Sequence, residues 1–442
     1  LARIQAAPQG GVLRSKLITL RSLLLKKFLN TRNLLATTEG RNVHYNEHYS
    51  KLQASSRVAA ANSFESTKDQ NMSDLWILAG QSNMEGCGKL KDVEESAENV
   101  RCFAHGDYWE TAAEPLHWLS EAVDEVHHEG VPAALRVDRT LREGGAGLAL
   151  TFAKHVSQRA NIDIDLLPAA HGGTSMQQWS PDLKHLGGGS LYGALMRRVD
   201  LARQTNKDTR LRGLLWYQGE SDANVQDAAA YSARMARLIE EFRTDLNFPD
   251  MPFYLVQIGC FVGDVLGGLN DAAGWEMIRE QQRLLPTLVP HTATISAIDL
   301  GLDDGIHIST QSLKRLGRRI GNVALNKAYG REAPTGPQLR SVKQDGAPIR
   351  VSFDNVTRML IAPDPAGRVP GFSLSFGNNR PTVNAFYKSY VDPQSPSDVL
   401  LYCDQPITPD VKLYYGADVY PFCQLTDAED MGVPAFGPIA IG

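Results

Sequence analysis

The stretch Ile77-Leu-Ala-Gly-Gln-Ser-Asn-Met-Glu-Gly86 runs from an apolar segment straight into a small polar turn with one serine at its tip. It reads as a strand that ends on a turn, and the same pattern recurs along the chain. Short apolar runs at Leu75 to Ala79, Ile164 to Pro168, Gly213 to Tyr217, Phe253 to Ile258 and Ala293 to Ile298 predict strands. Segments of helical period lie between and after them, at Gly147 to Arg159, Leu191 to Thr205, Asp227 to Leu246, Trp275 to Leu285 and Thr310 to Ala328. Strands alternating with helices in this way predict a parallel sheet covered on both faces, a flavodoxin-like three-layer α/β/α arrangement. The stretch from Glu85 to Glu143, rich in Glu, Gly and His, fits this rhythm poorly and reads as a long loop or insertion.

The composition changes at both ends. After Tyr329, Ala333-Pro-Thr-Gly-Pro337 reads as a linker. Strand-sized alternation comes next in Ile349-Arg-Val-Ser-Phe353, Arg358-Met-Leu-Ile-Ala362 and Gly371-Phe-Ser-Leu-Ser-Phe376, so residues 336–442 are expected to form a small all-β, sandwich-like domain. The first 71 residues hold 11 Lys and Arg against 4 Asp and Glu, while the other 371 residues carry a formal charge of −12. Residues 1–72 therefore read as a disordered basic extension, either a transit peptide or upstream sequence foreign to the native protein, and 73–330 as the main domain. The localisation stays unknown: cytoplasmic if the native chain starts at Met72, organelle or secreted if the basic segment is native. A net charge of −5 argues against nucleic-acid binding, and no run approaches the roughly 18 apolar residues of a membrane span. Five scattered cysteines without a CxxC indicate no zinc site, and one pair, Cys403 with Cys423, is a candidate bridge. Oligomeric state is not readable.

In an open α/β sheet, ligands gather beyond the carboxyl ends of the strands, where Ser82 stands. A serine is a weak nucleophile unless a base takes its proton, and the base needs a carboxylate to orient it. Asp303-Asp-Gly-Ile-His307 follows the fifth strand. Asp304 has the DxxH spacing that lets a carboxylate hold the imidazole Nδ1 proton, and Asp303 is its competitor. Donors for a developing oxyanion are offered by Ala170-His-Gly-Gly-Thr-Ser175 and Trp216-Tyr-Gln-Gly-Glu-Ser-Asp222, through the Gly173 N–H and the Gln218 amide. Nucleophile, two donor turns and base thus follow strands one, two, three and five.

Around these, Gln81, Asn83, Glu220 and Trp179 are candidate substrate contacts, with Glu220 also a brace for its turn and Trp179 either a sugar-stacking face or core. Asp222 is a further candidate contact, and His171 lines the pocket or is structural. His127 and His128 with Glu125 and Glu129 hint at a metal, but a solvated loop accounts for them better, so no metal and no cofactor are expected.

"ILAGQSNMEG", "HGGTSMQQW", "LLWYQGESDA" and "DDGIHIS", in this order, resemble the SGNH-hydrolase superfamily in its sialate O-acetylesterase-like branch of carbohydrate esterases, from about Ser73 to Leu325. The resemblance implies the flavodoxin-like fold and hydrolysis of acetyl esters on sugars, with Ser82 as nucleophile, His307 as base and Asp304 as its orienter. It also implies an oxyanion hole of Ser82 N–H, Gly173 N–H and Gln218. The wider superfamily has an asparagine where this chain and its branch have Gln218. The closing stretch from Leu413 also resembles the β-domain appended to many such esterases. The expected partner is an acetylated carbohydrate, as in a sialate O-acetylesterase or an acetylxylan esterase. The alternatives are a lipase- or thioesterase-like hydrolase and a non-catalytic carbohydrate-binding protein. The acidic, polar insertion at 85–143 lacks the apolar lid a lipase would show.

Overall fold

All eight residues of the first strand, β1 (Ser73–Gly80), are buried. A strand buried on both faces must lie in the middle of a sheet that is covered on both sides. In the computed structural model, which describes residues 72–128, 143–263, 271–377, 379–382 and 385–442, that is its position. The expectations for the basic segment 1–71 and for Glu129 lie outside the described residues.

The remaining strands of the first part are β2 (Gly88–Lys89), β3 (Val100–Phe103), β4 (Trp109–Thr111), β5 (Gly144–Ala146), β6 (Asp163–Pro168), β7 (Thr209–Tyr217), β8 (Phe253–Gln257) and β9 (Thr292–Ser296). Seven of the strands form one sheet in the order β4-β3-β6-β1-β7-β8-β9. All its pairings are parallel except β3 with β4. Within it, β6-β1-β7-β8-β9 is the flavodoxin order, in which the connection after β6 jumps over β1 and opens a crevice between the ends of β1 and β7.

Long helices cross between the strands at Ala149–Ala160, Leu191–Thr205, Tyr231–Asp245 and Ala272–Leu288, and a fifth, Thr310–Lys327, follows β9. The last is capped by the Ser309 hydroxyl, which accepts the Ser312 N–H. The helix from Ala272 runs three residues beyond the expected stop at Leu285, straight through Pro286. Proline has no N–H for the carbonyl four residues back. That carbonyl, on Gln282, accepts the Thr294 hydroxyl at 2.6 Å instead. The interruption is filled from the neighbouring strand.

The region after Glu85 departs from the loop expected of it. β3 and β4 extend the sheet beyond β6, and β2 pairs with β5. These strands are two to four residues long, too short to impose a visible period on the sequence.

In the C-terminal part, Gln338–Gln344, Ile349–Asp354, Asp398–Tyr402 and Lys388–Val391 form a four-stranded antiparallel sheet in that order. Phe372–Phe376, Val411–Tyr415 and Phe436–Ala440 form a three-stranded one. Val351, Leu374, Val399 and Leu413 share a second hydrophobic core, which also takes in Cys260 and Ile298 from the α/β part. The two parts are joined through Arg279. Its guanidinium is buried and donates to the carbonyls of Gly416, Asp418 and Val419 in the C-terminal part and of Gly259 just beyond the end of β8. Cys403 and Cys423 are both free thiols.

Candidate active site

The serine turn is made by backbone crowding. Gly80 adopts φ +131, and a Cβ there would collide with the Tyr217 carbonyl oxygen. Only glycine lets β1 come this close to the end of β7. The next residue, Gln81, donates its N–H to that same carbonyl at 2.9 Å. Ser82 then opens a single helical turn, Ser82–Glu85, closed by Gly86 N–H to Ser82 O. Gln81 is buried, and its Oε1 accepts the N–H groups of Gly219 and Ser221. Its side chain therefore faces the turn after β7 rather than an open cleft.

The Gly-Gly turn after β6 lies against the serine. His171 N–H donates to Gly80 O at 3.1 Å, and Gly172 N–H to Glu85 Oε2 at 2.7 Å. A Cβ on Gly172 would sit 3.5 Å from the Ser82 Cβ. Gly173 follows with φ +71 and open space around it. Among the described residues the backbone N–H groups of Ser82 and Gly173 have no partner. Two free donors beside a serine are what an oxyanion requires.

Gln218 is engaged elsewhere. Its amide nitrogen donates to Thr174 O at 3.1 Å and to Asp222 Oδ2 at 2.5 Å, so both N–H bonds are committed. The glutamine therefore ties the turn after β7 to the Gly-Gly turn instead of aiming a donor at Ser82, which corrects its expected place in the oxyanion hole. Asp222 completes this tie by accepting the Met176 N–H at 2.9 Å, and burial raises its carboxyl above the usual range. Trp179 is also corrected. It is 0% exposed, packs edge-on against Trp216 and donates to Thr174 Oγ1, so it belongs to the core and offers no face to a sugar.

The loop after β9 brings in the remaining groups. His307 Nδ1 lies 2.7 Å from Asp304 Oδ2. Asp304 Oδ1 accepts the N–H groups of Ile306 at 2.8 Å and His307 at 2.7 Å. Partial burial pushes the Asp304 carboxyl up, but these hydrogen bonds outweigh it and hold it below the usual carboxylate range. Asp303 points away, with its carboxylate 4.0 Å from Lys89 Nζ. The link between this loop and the serine is Asn83. Its Oδ1 accepts the Ile308 N–H at 3.0 Å, and its Nδ2 donates to Ile306 O at 3.3 Å and to Glu220 Oε1 at 2.9 Å. Both neighbours of His307 are thus bonded to the residue that follows Ser82. Burial raises the Glu220 carboxyl, with the Asn83 hydrogen bond pulling the other way.

Behind the Gly-Gly turn lies a cluster that sequence reasoning missed: His105, His117 and His127 are buried beside His171. Burial depresses all three imidazoles, His117 to about 3. His127 Nδ1 lies 3.1 Å from His171 Nδ1, and His128 bonds Ala122 O. Among the described residues, no group of His, Cys, Asp and Glu is arranged to hold a metal ion. The spacing of these histidines along an aperiodic stretch carries no signal of their meeting.

The sequence profile of the family described as "carbohydrate esterase, sialic acid-specific acetylesterase" matches residues 72–326. A probable carbohydrate esterase of Arabidopsis thaliana is 30% identical over 264 residues, which are 57% of this chain and 90% of the relative. The crystal structure of a carbohydrate acetylesterase from Xanthomonas citri superposes with a TM-score of 0.62 at 22% identity, covering 82% of this chain and 80% of that one, a likeness of fold. No helix among the described residues is long and apolar enough to cross a membrane.

Proposed function

Because the chain belongs to the sialic acid-specific acetylesterase family of carbohydrate esterases, we propose that it removes O-acetyl groups from carbohydrates by a serine mechanism. Ser82 Oγ attacks the acetyl carbonyl while His307 Nε2 takes its proton. Asp304 holds the Nδ1 proton and stabilises the imidazolium that results. The N–H groups of Ser82 and Gly173 receive the negative charge of the tetrahedral intermediate, with Gln218 fixing the turn that carries Gly173. The intermediate collapses as His307 returns the proton to the departing sugar oxygen. Water, activated by the same imidazole, then releases acetate from Ser82. On this reading, residues 73–330 carry the chemistry and residues 336–442 are an accessory region.

The observation that supports it most is the pairing of Asn83 with both neighbours of His307, because it sets the imidazole loop against the serine turn. The test is acetate release from acetylated sialic acid, acetylated xylan and other acetylated glycans, run beside a long-chain ester. Release from one sugar class names the substrate. Preference for the long acyl chain favours the lipase-like alternative, and binding without release favours a carbohydrate-binding protein.

A further inference from the structure

Asn83 is buried and Glu220 half-buried where three turns meet, and neither has a role in the chemistry just proposed. Asn83 is 2% exposed and uses every polar atom its amide offers inward: Oδ1 toward Ile308 N–H, Nδ2 toward Ile306 O and Glu220 Oε1. Glu220 opens the short turn Glu220–Asp222 after β7. Its second oxygen, Oε2, is buried with no hydrogen-bond partner among the described residues. A carboxylate with one oxygen desolvated and the other held by the Asn83 amide, with only its own backbone N–H beside it, is a costly arrangement for a residue that merely fills space.

We infer that Asn83 and Glu220 form a positioning pair. Glu220 Oε1 orients the Asn83 amide, and Asn83 in turn holds residues 306 and 308 so that the His307 ring faces Ser82. The pair rests on the Ser82–His307 reading but makes its own claim, because it concerns where the base stands and not which residues react. Without Glu220, one N–H of Asn83 loses its acceptor and the amide is free to rotate away from Ile306. Without Asn83, the loop from Gly305 to Ile308 loses both its bonds to the serine turn.

Asn83→Ala and Glu220→Ala are expected to lower kcat for an acetyl ester by roughly 10- to 100-fold, the effect of losing one or two buried hydrogen bonds, with KM changed less than threefold. Glu220→Gln keeps an acceptor at Oε1 and should recover turnover to within about fivefold, with a melting temperature at least as high as the parent's. The double alanine variant should be no worse than about threefold below the poorer single one, since the two residues act as one device.

A KM effect with kcat intact, a Glu220→Gln variant as damaged as Glu220→Ala, or multiplicative losses in the double variant would each overturn the pair. Independently of turnover, the His307 imidazole signals in ¹⁵N-histidine spectra should move in both alanine variants and stay close to the parent's in Glu220→Gln. Unchanged signals in all three would also refute it. Ser82→Ala is run alongside. Full activity there defeats the serine reading, whereas a dead Ser82→Ala with healthy Asn83→Ala and Glu220→Ala defeats only the positioning pair.

Discussion

Replacing Asp304 by asparagine tests the base at its most specific point. The wild-type carboxylate bonds three groups: His307 Nδ1 at 2.7 Å through Oδ2, and the N–H groups of His307 and Ile306 through Oδ1. An asparagine can keep its oxygen on the two backbone donors, but its NH₂ then faces Nδ1. The imidazole must move its proton to Nε2, the atom that has to accept the Ser82 proton. The loss includes one charge-assisted hydrogen bond, about 1.5–3 kcal/mol, and part of the attraction that stabilises the imidazolium. A buried triad aspartate lost in this way costs about 10⁴ in turnover. The Asp304 side chain is 55% exposed, so water screens its charge and the penalty should be smaller. The expected fall is about 10²- to 10³-fold in kcat, or about 3–4 kcal/mol of barrier. Asp303→Asn removes only a 4.0 Å ion pair to an exposed lysine and should cost less than about fivefold. Because hydrogen bonds hold the Asp304 carboxyl low, the stability it contributes is present above the usual carboxylate range and is lost only as pH falls through its depressed value. From pH 5 to 9 the wild-type carboxylate therefore stays ionised, and initial rates of acetyl-ester hydrolysis across that range compare both variants with a charged Asp304. A crippled Asp303→Asn beside an Asp304→Asn within tenfold of normal would refute the assignment.

Ser82→Ala should abolish acetyl-ester turnover, by several orders of magnitude, without lowering the melting temperature; retained activity rules out Ser82 as nucleophile. Because burial depresses His105, His117 and His127, the unfolded chain takes up protons below about pH 6.5 that the folded one refuses. Stability is then full above that pH and should fall on acidification, by up to about 4 kcal/mol per pH unit while three protons are taken up, as urea unfolding between pH 7 and 5 will show. His105→Leu removes two ring nitrogens that have no partner among the described residues and should flatten that slope by about a third without loss of stability at pH 7; an unchanged slope contradicts it. Arg279→Met leaves four carbonyls without their donor and should destabilise by about 3 kcal/mol, read as a melting temperature lower by roughly 5 °C; a change under about 1 °C would show that the clamp contributes little.

The central sheet is legible in the sequence because its strands are buried on both faces and so appear as unbroken apolar runs, Leu75 to Ala79 being the clearest. β3 and β4 escape notice because a four-residue and a three-residue strand cannot express a period. In the site, the three-residue spacing of Asp304 and His307 makes their contact readable, since it depends on a local turn. The commitments of Gln218 and Asn83 depend on atoms 44 and 225 residues away along the chain, and no local pattern encodes them. Trp179 shows the same limit from the other side: an indole looks alike in sequence whether it faces a ligand or another tryptophan.

The Arg279 clamp bears on how such a chain can change by descent. Three of its four acceptors come from the stretch Gly416–Val419, so a guanidinium at this position is useful only while that stretch is there to receive it. A lineage that shed the C-terminal sheets would leave this guanidinium with one of its four acceptors, the Gly259 carbonyl, and selection would no longer hold it in place. The residue at this helix position in a relative should therefore act as a marker of architecture: arginine where the β-rich part is retained, an uncharged side chain where it has gone. Grafting the C-terminal part onto a shorter relative would accordingly have to begin with this one residue of the host.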